Sequence, residues 1–216
     1  MPSFGAVSTT TPSKRQLPQR GHKQAQGLVL LVSMIVLMWA IEAINSLDSN
    51  RLSGDGIYPR NFDRIWGILT SPFIHLSFQH LTDNTVPFAF MGAIIALQGA
   101  ARLARVTLFV IVIGGLGTWL IAPSGSVTDG ASGVVFGYAT YLLARGFFNR
   151  SVLELLAGAV VGVIWGAALV ASLVPHYRVS WQAHVCGGIA GLVAAYAFSD
   201  RRARRPAETP APASAL

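Results

Sequence analysis

Six apolar runs, each of a length that matches a bilayer, constrain this chain more than anything else in it. They cover about 28–47, 80–100, 104–122, 131–148, 152–174 and 181–198. A hydrocarbon core about 30 Å thick is crossed by roughly 20 helical residues. The expected fold is therefore all-α, a polytopic membrane protein built as a six-transmembrane-helix bundle. Composition agrees: 12% of the residues are charged and 52% hydrophobic, against about 25% charged in soluble domains. The first run is too long for a cleaved signal peptide, and no small-residue cleavage site follows it. Residues 1–27 and 199–216, rich in Pro, Ser, Gln, Arg and Ala, read as flexible tails around one domain at 28–198. The single cysteine, Cys186, excludes an internal disulfide and reads as packing.

The net charge of +7 finds its explanation in topology. Six spans place both tails on one side, together with Arg102, Arg105, Arg145 and Arg150. That side then carries 12 of the 16 basic residues, and the other holds Arg51, Arg60, Arg64 and Arg178. Positive charge is retained in the cytoplasm, so both termini are expected there. No basic-aromatic patch supports a nucleic-acid partner; the lipid bilayer is the partner the charge pattern fits.

In this topology spans 2, 4 and 6 all begin at the outer face, and the unusual polar residues stand at those beginnings. His75, His80 and Asn84 enter span 2, Ser132 enters span 4, and His184 enters span 6. Each has a bland reading taken singly: an interfacial imidazole, a serine bonding its own helix, an asparagine in a helix contact. Three helices bringing polar groups to one level of the membrane is a functional-site signature. The chemistry it permits is acyl transfer. Ser132 is the nucleophile and His184 its base. Asn84, His80 and the Ser132 backbone N–H are donors for an oxyanion. Gly130 and Gly133, lacking Cβ atoms, allow close approach. No carboxylate stands behind His184, so a two-residue dyad is expected, with Asp129 as a helix cap. Phe136, one turn after Ser132, is placed to stack on the imidazole.

These residues resemble the rhomboid intramembrane serine proteases. The match runs in order through LTSPFIHLSFQHLTDN (69–84), GASGVVFG (130–137) and AHVCGGIAG (183–191), on spans 2, 4 and 6. The resemblance implies Ser132 and His184 as catalytic dyad, His80 and Asn84 on the oxyanion, and His75 and Gly130 in support around it. It also implies Phe136 packed on the imidazole, with Gly187 and Gly191 letting span 6 approach span 4. It implies cleavage of the transmembrane segments of other membrane proteins near the outer face, without a cofactor or metal. The family's Trp-Arg pair in the first outer loop is absent here, where the stretch reads Arg64-Ile65-Trp66-Gly67; that puts the stability of this loop in question.

The remaining features have ordinary readings. GAVVGVIWG (158–166) spaces glycines by four on span 5, for packing within the monomer or, as the alternative, a homodimer. Glu42 and Glu154 lie near span ends and are expected to be solvated, His176 to be exposed, and Trp119, Trp165 and Trp181 to form an interfacial belt. A metalloprotease is disfavoured because H-E-x-x-H is missing. The rival class is a catalytically inactive rhomboid-like adaptor or chaperone, which would lack the serine or the histidine. The short basic N-terminal tail points to a bacterial plasma (inner) membrane.

Overall fold

The computed structural model describes residues 19–175 and 179–200; His176 and Arg178 lie outside the described residues, as do 1–18 and 201–216. Among the described residues the chain is all-helical, with no strand. Helix α1 (Gln19–Leu47) leads into a long first loop carrying a short α2 (Gly67–Thr70). Then come α3 (Phe78–Ala96), α4 (Ala100–Phe109), α5 (Gly115–Ile121), α6 (Ser132–Asn149), α7 (Val152–Ala171) and α8 (Trp181–Ala197). A π-turn at Val110–Gly114 joins α4 to α5 into one continuous rod.

Three of these segments are long and apolar enough to cross a membrane by length and composition: Gly21–Leu47, Ala100–Ile121 and Val152–Ala171. The other three long helices, α3, α6 and α8, are those bearing the polar residues. Helix α1 starts ahead of the expected boundary at 28. Residues 19–27 are helical rather than a loose tail because α1 packs on the end of α3, where a Cβ on Gly27 would run into the Ala96 carbonyl.

Helix α6 occupies the middle of the molecule. Tyr138 and Tyr141 on it are fully buried, with Met91 and Ile95 of α3 and Leu103 and Val106 of α4 in the same core. At the far end from Ser132, buried Arg145 of α6 meets Glu154 at 2.8 Å, and Arg102 meets Asp200 at 2.6 Å. Glu154 is thus an ion-pair partner and not a solvated carboxylate, and Asp200 is pinned rather than part of a free tail.

The first loop is firmly held. Its Ile57 exchanges both backbone hydrogen bonds with Thr128, at 2.8 and 3.1 Å. Arg64 donates to the Gly54 carbonyl at 2.9 Å and lies 4.6 Å from the Tyr58 ring centroid and 5.8 Å from that of Trp66. An arginine two residues before the tryptophan therefore braces the loop where the Trp-Arg pair is missing. Trp119 departs from the expected belt: it is buried, its Nε1–H donating to the Asn61 carbonyl.

Candidate active site

Local capping sets each polar group in place. Ser77 caps α3, its hydroxyl accepting from the His80 N–H at 3.2 Å, so His80 sits in the first turn and Asn84 one turn later on the same face. Ser180 caps α8 in the same way through the Ala183 N–H, which puts His184 at the end of that helix's first turn. Helix α6 has no such residue of its own. Gly130, at φ +94°, turns the chain into the helix through the left-handed region that favours glycine. The Ala131 N–H that follows donates to His75 Nε2 at 3.3 Å. The expected cap, Asp129, makes no such bond; an imidazole from another segment supplies it.

That assignment fixes the state of His75. Its Nε2 accepts, so its proton is on Nδ1 and the ring is neutral. Complete burial pushes its pKa down to about 4, and the nearby His80 adds to the shift. Its ring stands edge-on to His80 at 5.1 Å. Its carbonyl is held by Asn45 Nδ2, and Asn45 also bonds Leu52 N and Ser53 Oγ. Asp129 is pushed the other way, up to about 7, by burial and then by the charge of Glu42. Glu42 itself is buried rather than solvated, and its Oε2 has no hydrogen-bond partner among the described residues.

Helices α6 and α8 meet backbone to backbone. A Cβ on Gly187 would strike the Gly133 carbonyl, and one on Gly191 would strike the Gly137 carbonyl and the Thr140 hydroxyl. Only glycine permits this approach, and at that spacing His184 Nε2 reaches Ser132 Oγ at 3.0 Å. Phe136 lies flat on the His184 ring, with centroids 4.3 Å apart and planes 8° from parallel. The other ring nitrogen, Nδ1, is 2.8 Å from the carbonyl oxygen of Ser172.

His80 and Asn84 face the turn that presents Ser132. The position a Cβ would take on Gly130 lies 2.7 Å from His80 Nε2 and 3.4 Å from Asn84 Nδ2. One amide hydrogen of Asn84 goes to the His80 carbonyl at 3.1 Å, leaving the second for a ligand. Ser132 is the first residue of α6, so its N–H has no carbonyl four residues upstream in the helix. A cavity of about 30 Å³ beside this turn is lined in part by Ser71, Thr118, Thr128, Gly130 and Gly133, enough room for a water molecule. The structure thus brings Ser132, His184, Phe136, His75, His80, Asn84 and Gly130 into one neighbourhood, with Gly133, Gly187 and Gly191 at the helix contact beside them. What side-chain patterns did not reveal is the Ser172 carbonyl, a backbone atom, and Asn45, whose only signal was a polar residue three positions after Glu42 in an apolar run.

The rhomboid domain family model matches residues 63–201. An uncharacterized protein of Mycobacterium tuberculosis is 36% identical over 93% of this chain and 90% of its own length. One from Mycobacterium leprae is 38% identical over 80% of this chain and 72% of its own. The rhomboid protease GlpG of Haemophilus influenzae is 25% identical over 85% of this chain and 95% of its own.

Proposed function

The chain belongs to the rhomboid family, and from that premise we propose that it is an intramembrane serine endopeptidase. It cleaves transmembrane segments of other membrane proteins near the outer face of the bilayer. The observation that carries this reading is the 3.0 Å contact between Ser132 Oγ and His184 Nε2, with His80 and Asn84 lining the adjacent turn.

Ser132 Oγ attacks the scissile carbonyl while its proton passes to His184 Nε2. Negative charge develops on the carbonyl oxygen and is met by the Ser132 N–H, the free Asn84 amide hydrogen and His80. His184 then hands its proton to the departing amine, leaving an acyl-enzyme ester. Water, activated by the same Nε2, hydrolyses that ester and returns the proton to Ser132. No cofactor takes part. A substrate helix has to unwind to expose its backbone, so segments with small or helix-destabilising residues at the cut are favoured. In this reading the long helices act as six spans, with both termini cytoplasmic and the site towards the outside, which the distribution of basic residues supports. The membrane in this reading is a bacterial plasma membrane, and the mycobacterial relatives support its being bacterial.

A fluorophosphonate probe offered to the detergent-purified protein tests the reading. Labelling of the wild type, absent in Ser132→Ala, is expected. An unlabelled wild type that is otherwise folded would favour the adaptor reading instead.

A further inference from the structure

We infer that the carbonyl of Ser172, at the C-terminal end of α7, is the third member of the catalytic constellation: it positions His184 and holds it in the one tautomer that can accept the serine proton. The inference rests on the protease reading above. For Nε2 to act as base, the neutral ring must carry its hydrogen on Nδ1. A carbonyl oxygen only accepts, so its contact with Nδ1 at 2.8 Å selects that form. The role that a carboxylate fills in serine triads, orienting the imidazole and stabilising the cation formed as the proton arrives, falls here to a main-chain group.

The location suits the task. Ser172 is the C-cap residue of α7, where carbonyls have no donor from their own helix. The last turn of α7 contains no basic side chain to compete for them, so the negative end of the helix dipole is left to act on the imidazole. Phe136 fixes the plane of the ring, and Ser172 fixes which nitrogen bears the hydrogen. The Ser172 side chain is not needed: its hydroxyl donates to the Leu169 carbonyl and turns back on its own helix.

The arrangement links the base to a helix whose distal half meets the core through Trp165, 4.7 Å from the Phe90 ring, and Leu169, and has no fully buried residue. The buried residues of α7 are Gly158 and Val161, both in its first half. Beyond them Val163 is 85% exposed and Val170 67% exposed, and a Cβ on Gly166 would meet nothing. Seating of the α7 terminus therefore sets the state of His184.

The test changes one atom of the backbone. Replacing Leu173 by its α-hydroxy acid turns the Ser172 carbonyl into an ester carbonyl, a weaker acceptor. It also removes the Leu173 N–H, which bonds Val170 O at 3.1 Å. The same replacement at Val174 removes a matching N–H, bonded to Ala171 O at 3.2 Å, and leaves the Ser172 carbonyl an amide. Relative to that control, the ester at 173 is expected to lower kcat on a transmembrane reporter about five- to tenfold, with KM unchanged, by weakening a hydrogen bond to a charged group. In ¹⁵N spectra His184 should gain the Nε2–H tautomer only in the 173 ester. Equal kcat and identical ¹⁵N spectra in the two esters would overturn the assignment. Failure of the protease reading is seen separately, as a wild type that the serine probe does not label; the tautomer measurement needs no turnover and still decides the role of Ser172.

Discussion

Helix α6 has two neighbours that it treats differently. Against α8 it packs through glycines at successive turns, Gly133 with Gly187 and Gly137 with Gly191, so the two backbones touch at the level of Ser132 and His184. Against α7 the close contacts lie at the other end, where Gly146 and Gly158 approach Leu155 and Leu142 and the Arg145–Glu154 pair closes the junction. Along the second half of α7 the contact gives way to exposed Val163, Ile164 and Val170. Ser132 and His184, the proposed reacting groups, are thus carried by the tightly packed pair, while the Ser172 carbonyl ends a helix whose fully buried residues all lie in its first half. Such a division suits an enzyme that keeps its reacting atoms rigid and has to admit a bulky substrate beside them.

The largest stability effect should come from unfastening α7. Arg145→Met takes the ion-pair partner from half-buried Glu154, while Asp200 keeps Arg102 at 2.6 Å, and is expected to cost about 3 kcal/mol, the upper end for a hydrogen bond to a charged group. Thermal unfolding in detergent reads this directly, and an unchanged melting temperature would mean that the pair does not hold the junction. Next comes Gly187→Val, which forces α8 off α6. About 1–3 kcal/mol of overpacking is expected, with kcat about 100-fold lower from an ångström-scale displacement of His184. Gly166→Ala is the converse on the loose side. Its Cβ enters open space and stiffens the helix, so stability should rise by about 0.5–1 kcal/mol; a loss of stability there would show α7 to be packed more tightly than described.

The smallest effect is electrostatic and lies in the turn between these helices. His75, held at about 4 against its ordinary 6.5, favours folding above pH 6.5 and loses that contribution as pH falls towards 4. Asp129, held at about 7 against its ordinary 3.8, favours folding below pH 4 and loses that contribution as pH rises through 7. Between pH 4 and 6.5 the two slopes oppose each other, so the wild-type melting temperature should be nearly flat there. In Asp129→Asn the slope that opposes His75 is removed. Its melting temperature should climb across the same window. A falling curve in the variant would show that His75 is not the neutral cap of α6.

Much of this was legible in the sequence because the features are periodic or local. Ser132 and Phe136 four apart, His80 and Asn84 four apart, and glycines at 187 and 191 define helix faces directly. The length of the apolar runs gave the all-helical class for the same reason. What escaped were contacts between segments distant in the chain. His75 caps a helix that begins more than fifty residues later, which no local rule for caps anticipates. Glu42 and Trp119, assigned to the interface by their position near run ends, are both buried, Trp119 against Asn61 of the folded first loop. Arg64 braces that loop from a different register than the expected pair. The Ser172 carbonyl has no side-chain signature at all.

The central claim is that Ser132 and His184 work as one unit across the α6–α8 seam. Proteolysis of a transmembrane reporter in liposomes by the wild type, Ser132→Ala, His184→Ala and the double variant tests it most directly. Both single variants should fall by about 10⁴-fold or more, and the double should be no slower than either, because groups acting together are not additive. Wild-type turnover in His184→Ala, or a double variant slower than both singles by the product of their losses, would contradict it.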